Sequence, residues 1–317
     1  MANRNFPVGD YSRRDFVRNA VAVACLSAAA SSSGLLPSAL AAEGQSSTGG
    51  KALIGSNVYG WTQYAQRDKK PFDINQVISV LADLGYDYLE SFMDVDKPDN
   101  NGKLAEQFKA KGLKPISIYT GARLHEAANA YNNVAKVLAA AKVCQQAGFK
   151  VISCNIDPIG REKTDAELKM QVSALSELGL GLKEFGMQLA IHHHMPEMAN
   201  KAREFHYNFR NSKPDVVGFC YDVHWVWKGG VTPMDALKEY TDRIVTWHLR
   251  QSRDGIWWED LDTGDIDYDA VAKYAKEHGL PRRFTVELAL EGGTKITRSA
   301  AENHRRSREF VRKVFGA

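Results

Sequence analysis

Long apolar runs, cysteine pairs and a charge of one sign are all missing from this chain of 317 residues. A membrane-crossing helix needs about 20 consecutive apolar residues, and the longest alanine-rich stretch, Ala20 to Ala30, is far shorter. Of four cysteines, Cys25 lies near the N-terminus, and Cys144, Cys154 and Cys220 are too few and too scattered for a disulfide framework. With 41 basic against 38 acidic side chains, the chain carries no electrostatic footprint for nucleic acid or an anionic membrane. No thiol cluster offers a structural zinc site, and GSNVYGW, after the first strand pattern, is not the G-x-G-x-x-G of a dinucleotide fold.

Residues 1–41 read as a targeting segment. Arg13-Arg14 precedes the alanine-rich stretch, and Ala39-Leu40-Ala41 supplies a small-x-small cleavage site, the pattern of a twin-arginine signal peptide. A basic amphipathic start or a membrane anchor is the alternative. Lipidation at Cys25 is disfavoured, because only six residues, 19–24, separate it from Arg18. Export by the twin-arginine machinery to the periplasm is therefore expected, which moves a protein already folded and lets a metal load beforehand. The segment removes Arg4, Arg13, Arg14 and Arg18 with Asp10 and Asp15, leaving 37 basic and 36 acidic side chains, net +1. Residues 42–51, rich in Ser and Gly, read as a flexible leader, and residues 52–317 have the length of a single (β/α)8 barrel.

Eight β-branched and aromatic runs are expected as strands: 52–58, 86–92, 114–120, 149–157, 187–194, 217–225, 244–251 and 283–290. Between them, stretches such as INQVISVLADLG and VAKVLAAAKVCQQAG repeat apolar residues at i, i+3, i+4 and close on Gly. Eight β-then-α units predict a closed parallel TIM barrel in one domain, with an open doubly wound sheet as the alternative. Active sites of such barrels lie at the C-terminal strand ends, where Glu90, Asn155, Asp157, His192, His194, Asp222, His224, His248, Arg250 and Glu287 gather.

Singly, each has an ordinary explanation. His248 can be a satisfied core histidine, Asp222 can cap a turn, and Glu287 can pair with Arg250. Together, carboxylates and imidazoles converging inside a barrel need a common partner, because buried polar groups without one are costly. A divalent cation, Mn²⁺, Mg²⁺, Co²⁺ or Zn²⁺, suits these donors. Within 187–194 strand alternation puts His192 and His194 on one face and His193 on the other, packed outward. Cys154 and Cys220 read as small buried hydrophobes.

Asp222 in YDVHW, His248 in WHLRQ and Glu287 in VELAL resemble three of the four metal ligands of the sugar phosphate isomerase/epimerase superfamily, the xylose isomerase-like barrels that include ketose 3-epimerases and inosose dehydratase. The similarity covers essentially all of residues 52–317. It implies a fourth ligand on the fifth strand, where the family usually has Glu and this chain has His192. Ketose epimerases use two facing Glu residues as acid/base pair, so this departure puts plain two-Glu epimerisation in doubt, and the HHH run is more similar to the inosose dehydratase branch. The resemblance implies proton removal next to a carbonyl through an enediolate, with His192, His194 and Glu90 as base candidates, Glu287 as a ligand that also takes part in the chemistry, and Arg250 holding a substrate oxygen.

Weaker candidates for substrate contact are Lys163 after the fourth strand, His224 at the end of the sixth, and Trp257 or Trp258 in WWEDLDTGDID, each with a plain surface or packing role as its alternative. Three functions stay open: a metal-dependent isomerase or epimerase of a non-phosphorylated sugar, a keto-sugar lyase or dehydratase, and a non-catalytic periplasmic sugar-binding barrel. The expected partner is a small carbohydrate and not nucleic acid; homo-oligomerisation stays open.

Overall fold

The computed structural model describes residues 51–317. The expected signal peptide, residues 1–41, and the expected leader up to residue 50 lie outside the described residues. Eight parallel strands close into a barrel: β1 (Leu53–Asn57), β2 (Tyr88–Phe92), β3 (Ser117–Ala122), β4 (Val151–Ile156), β5 (Gln188–His192), β6 (Gly218–Asp222), β7 (Ile244–Leu249) and, after a short hairpin of β8 (Ser252–Arg253) and β9 (Ile256–Trp257), β10 (Arg283–Val286). β10 pairs with both β7 and β1, which closes the ring.

Helices α1 (Val58–Arg67), α2 (Ile74–Asp83), α3 (Asp99–Ala110), α4 (Ala130–Ala147), α5 (Asp165–Glu184), α6 (Met195–Arg210), α7 (Val223–Lys228), α8 (Pro233–Glu239), α9 (Tyr268–Glu277) and α10 (Ala300–Phe315) fill the crossovers. Their boundaries follow local chemistry. Thr164 and Glu167 form a reciprocal capping box at the start of α5, and Gly148 ends α4 with φ 110°, a conformation that costs a side-chain-bearing residue. No described helix is long and apolar enough to cross a membrane.

Strand alternation divides the barrel into two faces. Leu89, Ile118, Ile152, Ile191 and Phe284, all buried, face the helices, where each such side chain contributes roughly 1.5–3 kcal/mol. Phe108 meets Phe149 on this outer layer, and Phe205, Phe209 and Phe219 enclose the His193 ring. The inner face is polar in its middle: the Tyr88 hydroxyl is 2.8 Å from Thr285 Oγ1, and Ser117 Oγ is 3.2 Å from Ser153 Oγ. Gly55 is obligatory beside them, because a Cβ there would come within 2.1 Å of the Tyr88 ring. The free cysteines Cys144, Cys154 and Cys220 are all buried.

All eight strands are shorter than the sequence pattern suggests, and four lose two or more residues at the C-terminal end: β5 stops at His192, β6 at Asp222, β7 at Leu249 and β10 at Val286. Asp222 ends its strand because its carboxylate accepts the Trp225 N–H at 2.8 Å and starts α7. His224 therefore sits on a helical turn, where neighbours rotate by about 100° instead of alternating.

Candidate active site

His192 closes β5, Asp222 closes β6, His248 lies in β7 opposite Asp222, and Glu287 follows β10, its N–H donating to the Leu249 carbonyl at 3.0 Å. The four side chains are buried, and one donor atom from each lies within 4.8 Å of the others. His192 Nε2 stands 3.1 Å from Asp222 Oδ2 and 4.0 Å from Glu287 Oε2, and His248 Nδ1 stands 2.8 Å from Glu287 Oε2. Ligands held about 2.0–2.4 Å from one ion are at most about 4–5 Å apart, so the set fits a single divalent cation. The donors, two carboxylates and two imidazoles, suit such an ion without further rearrangement of type.

Arg250, just beyond β7 and fully buried, places Nη2 3.2 Å from Asp222 Oδ2 and 3.4 Å from Glu287 Oε2. Its guanidinium lies over Trp257 at 4.3 Å and Trp225 at 5.3 Å, and its Nε has no protein partner. Burial works to raise the Asp222 and Glu287 carboxyls, but Arg250, with His192 for Asp222 and His248 for Glu287, outweighs it. Asp222 is held well below the usual carboxylate range and Glu287 at about 2. Burial opposes protonation of His248, yet Cys220, Glu90 and Glu287 around it hold its proton well above the ordinary histidine value. The Cys220 thiol is itself pushed up to about 11 by burial and is neutral at pH 7, so the two carboxylates dominate.

His194 is the residue before α6, and its ring contacts His192 edge-on at 4.7 Å and Trp225 at 5.7 Å. Burial first, then His192, lowers it to about 3, so it is neutral near pH 7. Its backbone N–H donates to Glu197 at 2.9 Å. His193 points outward, as strand alternation requires.

Glu90 reaches the floor of the cluster but is engaged by donors on both oxygens, from Asn57, His248, Ser117 and Ser153. Lys163 is not brought to the cluster: its Nζ is buried 2.6 Å from Glu204, in a polar knot with Gln171 and Asn208 between α5 and α6. His224 faces the β8–β9 hairpin, with Nε2 2.5 Å from Ser252 Oγ and the ring edge-on to Trp257. Trp257 stands over Arg250, its indole N–H buried without a partner.

Sequence reasoning passed over Asn57, Ser117, Tyr119, Ser153 and Trp225. Their signal was parity: in KPISIYT and FKVISCNID, Ser117, Tyr119 and Ser153 occupy the alternate positions that face inward. Tyr119 OH lies 3.4 Å from His192 Nδ1, and the half-exposed Phe92 stands against Tyr119 at the rim.

Comparison with known proteins agrees with this architecture. Residues 78–314 match the family described as "Xylose isomerase-like TIM barrel". An inosose dehydratase of Geobacillus kaustophilus (strain HTA426) is 29% identical over 199 residues, covering 56% of this chain and 62% of that protein. The chain thus spans about three fifths of that curated relative. A sugar phosphate isomerase/epimerase from Parabacteroides distasonis ATCC 8503 superposes with a TM-score of 0.67 at 18% identity, over 87% of this chain and 98% of that one. The IOLI protein with a binding zinc atom superposes with a TM-score of 0.65 at 19% identity, over 83% and 98%. From the match of its family model and the closed eight-stranded ring, the chain belongs to the xylose isomerase-like TIM barrel family.

Proposed function

We propose that this protein is a divalent-cation-dependent enzyme that removes a proton next to the carbonyl of a non-phosphorylated sugar or keto-sugar and returns it either at the neighbouring carbon, as an isomerase, or to the opposite face of the same carbon, as an epimerase. The observation that carries the reading is the buried set of His192, Asp222, His248 and Glu287, with donor atoms within 4.8 Å of one another. These four residues would hold the ion, with Mn²⁺, Mg²⁺, Co²⁺ and Zn²⁺ as candidates. When bound, it supplies Lewis-acid stabilisation of negative charge on substrate oxygens, several kcal/mol of the barrier.

The chain's own residues supply the rest. Arg250 is held over Trp257 by its two carboxylates and keeps a buried Nε without a protein partner, a donor left for a substrate oxygen. His194, neutral because it is buried, is in the state a base must start from. An imidazole lowered to about 3 is a weak base at rest, and it gains affinity for the proton only as an oxyanion develops beside it. Trp225 and Trp257 line this side and exclude water. A phosphate finds little free charge here, since Arg250 is already shared by Asp222 and Glu287 and Lys163 is paired with Glu204.

Elimination of water from a keto-sugar is the second reading, favoured by His192 at the fifth-strand position and by the inosose dehydratase relatives. Both are tested by proton NMR in D₂O with a panel of ketoses, inososes and keto-glycosides. Deuterium appearing next to the carbonyl in a rearranged sugar supports the first reading, and an unsaturated product supports the second. Turnover without solvent exchange overturns both in favour of hydride transfer. His192→Ala is expected to abolish exchange together with ion retention.

Export to the periplasm belongs to the same proposal. Replacing Arg13 and Arg14 by Lys is expected to leave the precursor in the cytoplasm on fractionation; an unchanged periplasmic yield removes the twin-arginine route.

A further inference from the structure

Glu90 has no exposed surface, and its surroundings leave it no free oxygen. Asn57 Nδ2 donates to Oε1 at 2.9 Å, and His248 Nε2 lies 2.7 Å from the same atom. The hydroxyls of Ser117 and Ser153 donate to Oε2 at 2.5 and 2.7 Å. Asn57 is itself oriented, because its Oδ1 accepts the Tyr59 N–H at 2.8 Å at the start of α1. The helix cap therefore fixes the amide, the amide and two serines fix the carboxylate, and the carboxylate fixes one edge of the His248 ring. The other edge, Nδ1, faces Glu287 in the ligand cluster.

Binding a cation requires His248 to give up one of its two ring protons, and the neutral imidazole that remains carries its proton on one nitrogen and a lone pair on the other. With the proton on Nδ1, the Nε2 lone pair would face the Glu90 carboxylate, two acceptors in contact within a buried site, which is unfavourable. With the proton on Nε2, Glu90 accepts it and the Nδ1 lone pair points into the cluster. His192 has a looser counterpart, since Tyr119 OH is 3.4 Å from its Nδ1.

From this chain of contacts we infer that Glu90 is a positioning residue: it holds His248 as the Nε2–H tautomer, so that Nδ1 is presented to the divalent cation alongside His192, Asp222 and Glu287. The inference rests on the proposed cation site. It replaces the reading of Glu90 as a base, for which an oxygen free to meet substrate would be required.

The test uses the folded protein with zinc as probe, with affinity measured by chelator competition and the His248 ring followed by ¹⁵N NMR with and without zinc. In the wild type, zinc is expected to produce a metal-bound Nδ1 and a strongly downfield Nε2–H. In Glu90→Gln the Nε2–H is expected to move upfield and exchange faster with solvent, and zinc affinity to fall about 10- to 100-fold. Ser117→Ala keeps the carboxylate but removes a competing donor, so there the Nε2–H is expected to move further downfield; this variant carries the measurement if Glu90→Gln does not fold. Zinc bound by Glu90→Gln as tightly as by wild type, with His248 resonances unmoved, overturns the positioning role while the cation site stands. An unmoved Nε2–H in Ser117→Ala likewise overturns it. A wild-type protein that binds no zinc sinks the cation site and this inference with it.

Discussion

His193 shows how a single residue between two neighbours at the candidate site can be a purely structural liability. It is buried among Phe205, Phe209 and Phe219, and neither ring nitrogen has a partner. Burial, then the neighbouring His192 and His194, holds its pKa well below the ordinary value. The unfolded imidazole takes up a proton near pH 6.5, so below that pH the unfolded chain binds more protons and stability falls as pH drops. His193→Phe is expected to raise stability at pH 7 by about 1–2 kcal/mol by removing an unsatisfied polar group, and to raise it more at pH 5. Guanidinium unfolding at the two pH values checks this; an equal gain at both would show that His193 is not held neutral. The outward direction of His193 was legible from strand alternation alone. The absence of any partner for it was not, since that depends on three phenylalanines from α6 and β6.

At the scale of elements, α5 and α6 are joined by a polar knot that the sequence did not announce. Lys163 lies in a loop after a barrel strand, the place where substrate contacts are expected, yet its ammonium is buried against Glu204 on α6. Lys163→Met is expected to destabilise the fold by roughly 3 kcal/mol, because Glu204 is left as a partly buried charge without its cation. Zinc affinity of the folded variant is expected to be unchanged. A loss of affinity comparable to that of an Asp222 variant would return Lys163 to the site. The same scale explains His224. Strand parity grouped it with Asp222, but Asp222 caps α7, and the change from strand to helix turns His224 toward Ser252 instead. Local pattern reveals that an element ends near here, but not which backbone N–H will capture the carboxylate.

For the whole molecule, the barrel collects buried charge at one end and balances most of it there. Asp222, Glu287 and Glu90, three negative charges, face only Arg250 and protonated His248, and a divalent cation that displaced one His248 proton would offset the remainder. Zinc at about 100 times its dissociation constant is expected to stabilise the folded state by about 2.7 kcal/mol. For a domain of this size that is a rise in Tm of roughly 5–10 °C. Calorimetry with zinc and after exhaustive chelation checks this, and a Tm that ignores both treatments would mean that the four side chains only pair with one another.

The eight-stranded parallel ring was determined by sequence, and strand parity together with the family resemblance pointed to His192, Asp222, His248 and Glu287, whose donor atoms the structure brings within 4.8 Å of one another. Apolar periodicity sets element type, and the two-residue repeat of a strand sets which side chains face inward. Tertiary structure alone decided what each inward group touches. Glu90 and His248 are 158 positions apart, and Ser117 and Ser153 reach the same carboxylate from two other strands. A hydrogen bond is directional and extends about 3 Å, so whether a buried carboxylate is free to react or is committed to four donors is settled only when distant strands close around it.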